Sequence, residues 1–383
     1  MAEPHRVAIV GAALSDVGRV DDRTPFALHH QATSRALADA GLTRDDVDGL
    51  YSCGLGSLAP VEVAEYLGLR PNHFDSTQVG GASWEVMVGH AVAALHAGMA
   101  ETIVLVYGAT TRADLKAGRR RANLSFGSRG PTQFAAPWGH TLISQYAMAT
   151  RRHMHEFGTT IEQLAEVAVS TRFNAGLNPD AYYRDPLTVD EVNASAMIAD
   201  PLTKLHCCIR SDGGGAVVLT TAERAADCAK APVWVLGTGE ASSHTTMSEW
   251  DDFTESPCVR SGADAFRRAG IGPEDVDVCQ LYDAFTYMVV ATLEGLGFCP
   301  KGEGGPFVAD GRLRVGGVLP TNTDGGGLSA CHPGMRGLFL LVEAVEQLRG
   351  EAEGRQVDGA EIACVNATGG WFTSTATVLL GTS

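Results

Sequence analysis

Two kinds of apolar pattern alternate along this chain. Short unbroken apolar runs, of which VAIVGAAL (7–14) and ETIVLVYG (101–108) are the clearest, have the length of strands buried on both faces. Between them lie segments punctuated as helices. TPFALHHQATSRALADAG (24–41) offers Thr24 as an N-cap, Pro25 in the first turn and Gly41 just past the end. DDVDGLYSCG (45–54) reads as a strand and turn, and a helix of small residues starts near Gly81. Apolar strands alternating with helices predict an α/β layered sheet.

The pattern then occurs a second time. LADAGLTRDDVDGLYSCG (37–54) and FRRAGIGPEDVDVCQLYDAF (266–285) share Ala-Gly, an aliphatic residue, and an acid followed by Asp-Val-Asp ahead of an apolar strand, with Gly41 matching Gly270. Downstream, a helical segment at 81–98 followed by ETIVLVYG corresponds to one at 333–350 followed by AEIACVNATGG. Each copy closes on a Gly-rich turn and an apolar strand, SDGGGAVVLTT (211–221) and GGWFTSTATVLLG (369–381). Three matched elements in one order predict two tandem halves, 1–222 and 223–383, joined through the polar TAERAADCAKAP (221–232). The first half carries a large insertion at about 109–206, the place for a lid, a binding loop or an oligomer contact.

Charge narrows the function. A net charge of −16 over 383 residues argues against nucleic acid or an anionic membrane as the main partner. KAGRRR (116–121) is the one strong basic cluster, either a contact for a phosphorylated ligand or a solvated turn. No apolar run has the length of a membrane span, and the first residues lack a secretory signal pattern, so the expectation is a cytoplasmic protein. The nine cysteines are odd in number and show no C-x-x-C spacing, which predicts small buried hydrophobes and neither a disulfide framework nor a metal site.

The tandem halves, the Y-D-A-F segment, LGFCPKGEGGPFVADG (296–311), LPTNTDGGGLSACHPG (319–334) and a Gly-Gly turn before the last strand together resemble the thiolase superfamily, specifically its sterol-carrier-protein branch. The resemblance spans essentially the whole chain. It implies two tandem β-α-β-α-β halves in a five-layered αβαβα arrangement, a site where the halves meet, and a CoA thioester as substrate with no permanently bound cofactor. Family members place a nucleophilic Cys in a C-x-S motif, where a helix start stabilises a thiolate. Here Gly81-Ala82-Ser83 stands in its place, so the nucleophile position is vestigial and Ser83 is the nearest hydroxyl. The branch's H-D-x-F becomes Tyr282-Asp283-Ala284-Phe285, and G-H-P becomes Cys331-His332-Pro333. The late C-x-G-G is replaced by Ala367-Thr368-Gly369-Gly370.

Loss of both thiols with a Tyr gained is similar to the steroid side-chain aldolases of this fold, which carry Tyr-Asp at the same place; those aldolases have a second Tyr in the segment where this chain keeps His332, so it departs from them there. A Claisen reaction needs an acyl-enzyme, whereas a retro-aldol needs only a base and a stabilised enolate. The resulting expectation is a carbon–carbon lyase acting on a β-hydroxyacyl-CoA, or the reverse addition. Tyr282 and His332 would share the roles of base and carbonyl polariser, Asp283 would orient or ionise one of them, and the backbone at Gly325, Gly326, Gly369 and Gly370 would donate to the oxyanion. Two alternatives stay open: an acyltransferase using Cys331 or Ser83, and a non-catalytic acyl-CoA-binding or lipid-binding subunit. The family also implies a homodimer and, from the aldolases, a small OB-fold zinc-ribbon partner. Trp84, Phe134, Trp138 and Trp371 are candidates for an aromatic pocket lining or for core.

Overall fold

The structure is a computed structural model and describes residues 6–119, 130–139 and 141–383. Eleven strands are described among them: β1 (Val7–Leu14), β2 (Gly49–Tyr51), β3 (His73–Asp75), β4 (Thr102–Ala109), β5 (Met197–Ala199), β6 (Leu202–Thr203), β7 (Gly213–Thr221), β8 (Val233–Ser242), β9 (Val278–Leu281), β10 (Ile362–Gly369) and β11 (Ser374–Gly381). The helices are α1 (Pro25–Ala40), α2 (Ala59–Leu67), α3 (Ser83–His96), α4 (Thr111–Lys116), α5 (Leu142–Phe157), α6 (Ile161–Leu177), α7 (Val189–Ala194), α8 (Ala222–Ala225), α9 (Cys258–Ala269), α10 (Thr286–Gly295), α11 (Gly304–Phe307) and α12 (Gly337–Leu348).

Nine strands form one sheet in the order β3-β2-β4-β7-β1-β8-β11-β10-β9. About the β1–β8 seam the order is mirrored: β2-β4-β7-β1 on one side answers β9-β10-β11-β8 on the other. β2 runs parallel to β4 as β9 does to β10, and the remaining pairs in each set are antiparallel. The seam is narrow, with Ala8 opposite Trp234 and Ile9 opposite Val233. α3 packs on β4 and β7 but also on β8 and β11, and α12 packs on β1 and β7 as well as β9 and β10. These two helices therefore form a central layer gripped by strands from both sets, while α1 and α9 cover the outer faces. α12 is buried along its whole length apart from Glu346, as a helix between two sheet faces must be.

The repeated Asp-Val-Asp does the same work in both copies. Gly41 and Gly270 end α1 and α9 in the left-handed region, at φ 71° and 72°. Asp46 then accepts from the Thr43 N–H at 2.8 Å, and Asp275 from the Gly272 N–H at 2.8 Å, each closing a short 3₁₀ turn. Two residues on, Asp48 accepts from the N–H groups of Glu101 and Thr102, and Asp277 from those of Glu361 and Ile362. Each second Asp thereby ties its strand to the start of the parallel neighbour. Thr24 caps α1 as the sequence predicts, accepting from the Ala27 N–H at 3.2 Å.

The insertion supplies α4 to α7 and the β5–β6 pair. Of the basic cluster, Lys116 pairs with Asp21 and Arg119 with Asp114, as in a solvated turn, while Arg120 and Arg121 lie outside the described residues. Among the described residues no helix is long and apolar enough to cross a membrane.

Candidate active site

Four segments converge at the C-terminal ends of β9 and β10. Tyr282 leaves β9 with its N–H donating to the Asn366 carbonyl at 3.0 Å. The turn before α3 presses on the Gly-Gly turn after β10 so closely that a Cβ on Gly369 would meet the Val79 carbonyl oxygen at 1.6 Å. Between them the glycine-rich 325–332 segment forms one π-helical turn at Gly326–Ala330, a local geometry often found at functional sites.

Gly81 and Tyr282 occupy one another's space. A Cβ at 81 would lie 2.3 Å from Cε2 and 2.4 Å from Cζ of the Tyr282 ring, and 2.5 Å from the Thr368 carbonyl oxygen. The ring fills the room a cysteine would need, so the lost thiol and the gained tyrosine are one steric change. Ser83 does not replace the nucleophile. Its hydroxyl donates to the Gly80 carbonyl at 2.7 Å and accepts from the Val79 N–H at 3.0 Å, pinning the turn.

Tyr282 meets His332 edge to face, with ring centroids 5.6 Å apart at 84°. Burial drives the phenol well above its ordinary value, so it stands as a neutral donor. Burial, and then the Arg336 charge, pull His332 down to about 4, which leaves a neutral imidazole at pH 7. Its Nε2 is buried and has no hydrogen-bond partner among the described residues, an arrangement that leaves a lone pair open to a proton donor. The backbone N–H of His332 donates to Ser211 Oγ at 2.8 Å and fixes its position. Cys331 is its neighbour in sequence and not in chemistry. Its Sγ lies 3.2 Å from Ser211 Oγ and 3.6 Å from the Asp212 carbonyl, and burial pushes the thiol up to about 11, the reverse of what a nucleophile needs.

Two further expectations are corrected by the glycine turn. The Gly325 N–H donates to the Asn322 carbonyl at 2.9 Å and the Gly326 N–H to Asp324 Oδ1 at 2.8 Å, so both amides are engaged inside the turn and unavailable to an oxyanion. Asp283 orients neither Tyr282 nor His332. It accepts from the Gly327 N–H at 2.7 Å and the Leu328 N–H at 3.1 Å, clamping the turn. Burial raises its pKa, opposed by Arg336 and these two amides. Gly369 and Gly370 lie against the turn before α3, and the Gly370 carbonyl accepts from the Tyr146 hydroxyl at 2.9 Å.

The fully buried Arg336 organises this framework, and sequence reasoning missed it. Its guanidinium donates to both Asp324 oxygens at 2.7 and 2.5 Å and to the Cys331 carbonyl at 2.8 Å, with Nε 3.7 Å from Asp283. A signal existed: it is the one arginine in an otherwise apolar, glycine-rich stretch, twelve residues after Asp324. Helix α6 of the insertion and its C-cap brace the same turn, through Arg172 to Ser329 Oγ at 2.8 Å and the cap Asn178 to the Asp324 carbonyl at 2.9 Å. The four aromatics do not share a pocket. Trp84 and Trp371 are core, whereas Phe134 and Trp138 are 76% and 87% exposed.

Comparison with known proteins finds relatives along nearly the whole chain. Residues 239–382 match the family described as "Thiolase C-terminal domain-like". The chain is 35% identical to the 17-hydroxy-3-oxo-4-pregnene-20-carboxyl-CoA lyase of Mycobacterium tuberculosis, over 96% of this chain and 98% of that one. It is 34% identical to an acetyl-CoA acetyltransferase of Methanothermobacter thermautotrophicus, over 95% and 96%. The solved Ltp2-ChsH2(DUF35) aldolase superposes with a TM-score of 0.88 at 32% identity, covering 99% of this chain and 98% of that one.

Proposed function

Since the chain belongs to the thiolase superfamily and matches lyases and acyltransferases alike along nearly its whole length, we propose that its site runs the lyase chemistry. The protein acts on acyl-CoA thioesters, cleaving or forming a carbon–carbon bond by retro-aldol or aldol chemistry on a β-hydroxyacyl-CoA. The observation that carries this reading is the Tyr282 ring in the space of the missing thiol. With no room for a nucleophile at 81, and with Ser83 and Cys331 held in other contacts, no acyl-enzyme has an obvious seat.

In this mechanism the neutral His332 Nε2 takes the β-hydroxyl proton. The Cα–Cβ bond breaks, Cβ becomes a ketone or aldehyde, and the electron pair enters the enolate of the shortened thioester. Tyr282, a phenol that stays protonated, donates a hydrogen bond to the thioester oxygen as negative charge grows there. Asp283, Asp324 and Arg336 hold the turn that carries His332. The names of the relatives make steroid acyl-CoAs the first substrates to try. We further propose a cytoplasmic homodimer, supported by family resemblance and by β3 ending the sheet order among the described residues, and a small OB-fold zinc-ribbon partner, supported by the two components in the aldolase neighbour's name.

The test combines intact-mass spectrometry with product analysis after mixing with a panel of acyl-CoAs. Release of a ketone or aldehyde plus a shortened acyl-CoA, with no covalent adduct, is the expected result. Tyr282→Phe and His332→Ala should each slow turnover by ~10²-fold or more while remaining folded. An adduct on Cys331 or Ser83 would establish acyl transfer instead, and acyl-CoA binding without product in any variant would establish a binding subunit.

A further inference from the structure

The central helix α3 carries a carboxyl that the mechanism does not use. Glu85 lies one turn past Gly81, fully buried, and neither of its oxygens has a hydrogen-bond partner among the described residues. Burying a carboxyl without partners destabilises a fold, yet this one sits at a particular place. A Cβ on Gly337, the first residue of α12, would lie 2.5 Å from Glu85 Oε2, 2.9 Å from Oε1 and 2.6 Å from the Gly81 carbonyl oxygen. Both neighbours of that contact bear on Tyr282. Gly81 packs on its ring, and the backbone N–H of Arg336, the N-cap of α12, acts on its phenol as a hydrogen-bond donor. The carboxyl of Glu85 therefore stands at the start of α12, where the phenol is held.

The charged groups around Glu85 are already engaged elsewhere. Glu85 borders a cleft of about 170 Å³ together with His90 of α3, Glu240 of β8, and Asp264 and Arg268 of α9. His90 Nδ1 lies 2.6 Å from Asp75, Arg268 donates to the Thr238 carbonyl at 2.7 Å, and Asp264 pairs with Arg267. From α12, Arg336 is committed to Asp324. Of the other strands packed on α3, β4 contributes Tyr107 and β10 contributes Cys364, while β7 and β11 carry no titratable residue. The cleft opens to solvent, since the His90 and Glu240 side chains are 42% and 56% exposed. It offers the Glu85 proton a way out that avoids the reacting atoms.

Building on the retro-aldol reading, we propose that Glu85 is a positioning residue that acts through the oxyanion donor Tyr282. Protonated, it leaves the start of α12 free to hold the phenol towards the enolate; ionised, it sets a negative charge against the one growing on the thioester oxygen and shuts the site down. Burial holds the carboxyl uncharged up to about 8, so turnover is full below that pH and falls as pH rises through it. The charge opposes the enolate more than it opposes the neutral bound thioester, so the fall belongs to kcat and not to KM.

The test follows, by mass spectrometry, the loss of deuterium from α-deuterated acetyl-CoA and propionyl-CoA in ordinary water, above the uncatalysed rate. Between pH 7 and pH 9 the wild-type rate at saturation should fall by about tenfold or more, as a nearby buried charge implies, with the half-saturating concentration unchanged. The near-isosteric Glu85→Gln should show no such fall. In the wild type, the infrared carbonyl band of a protonated buried carboxyl should disappear over the same pH range, and it should be missing from the variant at pH 7. The band also serves if the variant folds poorly, because a wild-type rate that does not fall in parallel with it overturns the role of Glu85. The same pH dependence in the wild type and in folded Glu85→Gln, with Tyr282→Phe slow in exchange, overturns that role and leaves the aldolase reading intact. Absence of exchange in the wild type at both pH values overturns the aldolase reading and this inference together.

Discussion

At the scale of single residues, the site turns on contacts that a sequence motif encodes only by its departures. Gly81→Ala would drive a methyl into the Tyr282 ring and the Thr368 carbonyl. It should cost about 1–3 kcal/mol, as overpacking does, and lower turnover at least tenfold by displacing the phenol. Kinetics and a thermal melt of the variant check this, and wild-type values in both would show that the ring yields freely. The replacement of both family thiols could be read from the sequence because each sits in a short motif at fixed spacing. The role of Asp283 could not. An aspartate after a candidate catalytic residue invites a reading as orienter, and only the fold brings the Gly327 and Leu328 amides to its oxygens from more than forty residues away. Cys331 next to His332 posed the same trap, since alternate side chains of an extended backbone leave in different directions and the thiol reaches Ser211.

At the scale of elements, the glycine turn depends on a buried ion pair. Arg336 is fully buried, and Asp324 is its close carboxylate. Asp324→Ala leaves that guanidinium with the Cys331 carbonyl and, as its nearest carboxylate, Asp283 at 3.7 Å, and removes the acceptor of the Gly326 N–H. A loss on the order of 3–5 kcal/mol follows, read as a lower denaturant midpoint, and Asp324→Asn, which keeps an acceptor, should lose less. An unchanged midpoint in the alanine variant would mean that the pair does not hold the turn. Strands and helices here were readable because burial on two faces leaves unbroken apolar runs, as in β1, and because Thr24 and Gly41 mark the ends of α1. Arg336 escaped notice because a buried cation has no periodicity, and charged residues are mostly exposed. The bracing by α6 escaped for a different reason: Arg172 and Asn178 belong to the insertion, which has no counterpart in the second copy.

At the scale of the whole molecule, the two sets of strands share a central pair of helices, and we propose that residues 1–222 and 223–383 are the two units of that duplication. Burial also shapes the response to pH. His29, His206, His244 and His332 are each pushed to about 4 by burial, from 6.5. The unfolded chain then takes up protons before the native one, and stability falls as pH drops from 6.5 towards 4. Glu85 runs the other way. Neither of its buried oxygens has a partner among the described residues, and burial raises it from 4.5 to about 8, so its unfavourable contribution grows as pH rises across that interval. The thermal midpoint should therefore peak near pH 6.5. Glu85→Gln should raise it at pH 8 by several degrees and leave it unchanged at pH 4.5, since each tenfold change in proton affinity between the folded and unfolded chain is worth about 1.4 kcal/mol. Equal effects at both pH values would contradict an uncharged Glu85.

The mutual exclusion of a side chain at 81 and the ring at 282 also constrains ancestry. A lineage holding Tyr282 loses stability and turnover if a cysteine at 81 comes as its first step, because that intermediate crowds the phenol. The reverse path is easier when it begins by shrinking residue 282, through a form with neither the tyrosine nor the thiol. Drift between the two chemistries is thereby ordered, and each is sheltered from casual reversion by the other's bulk.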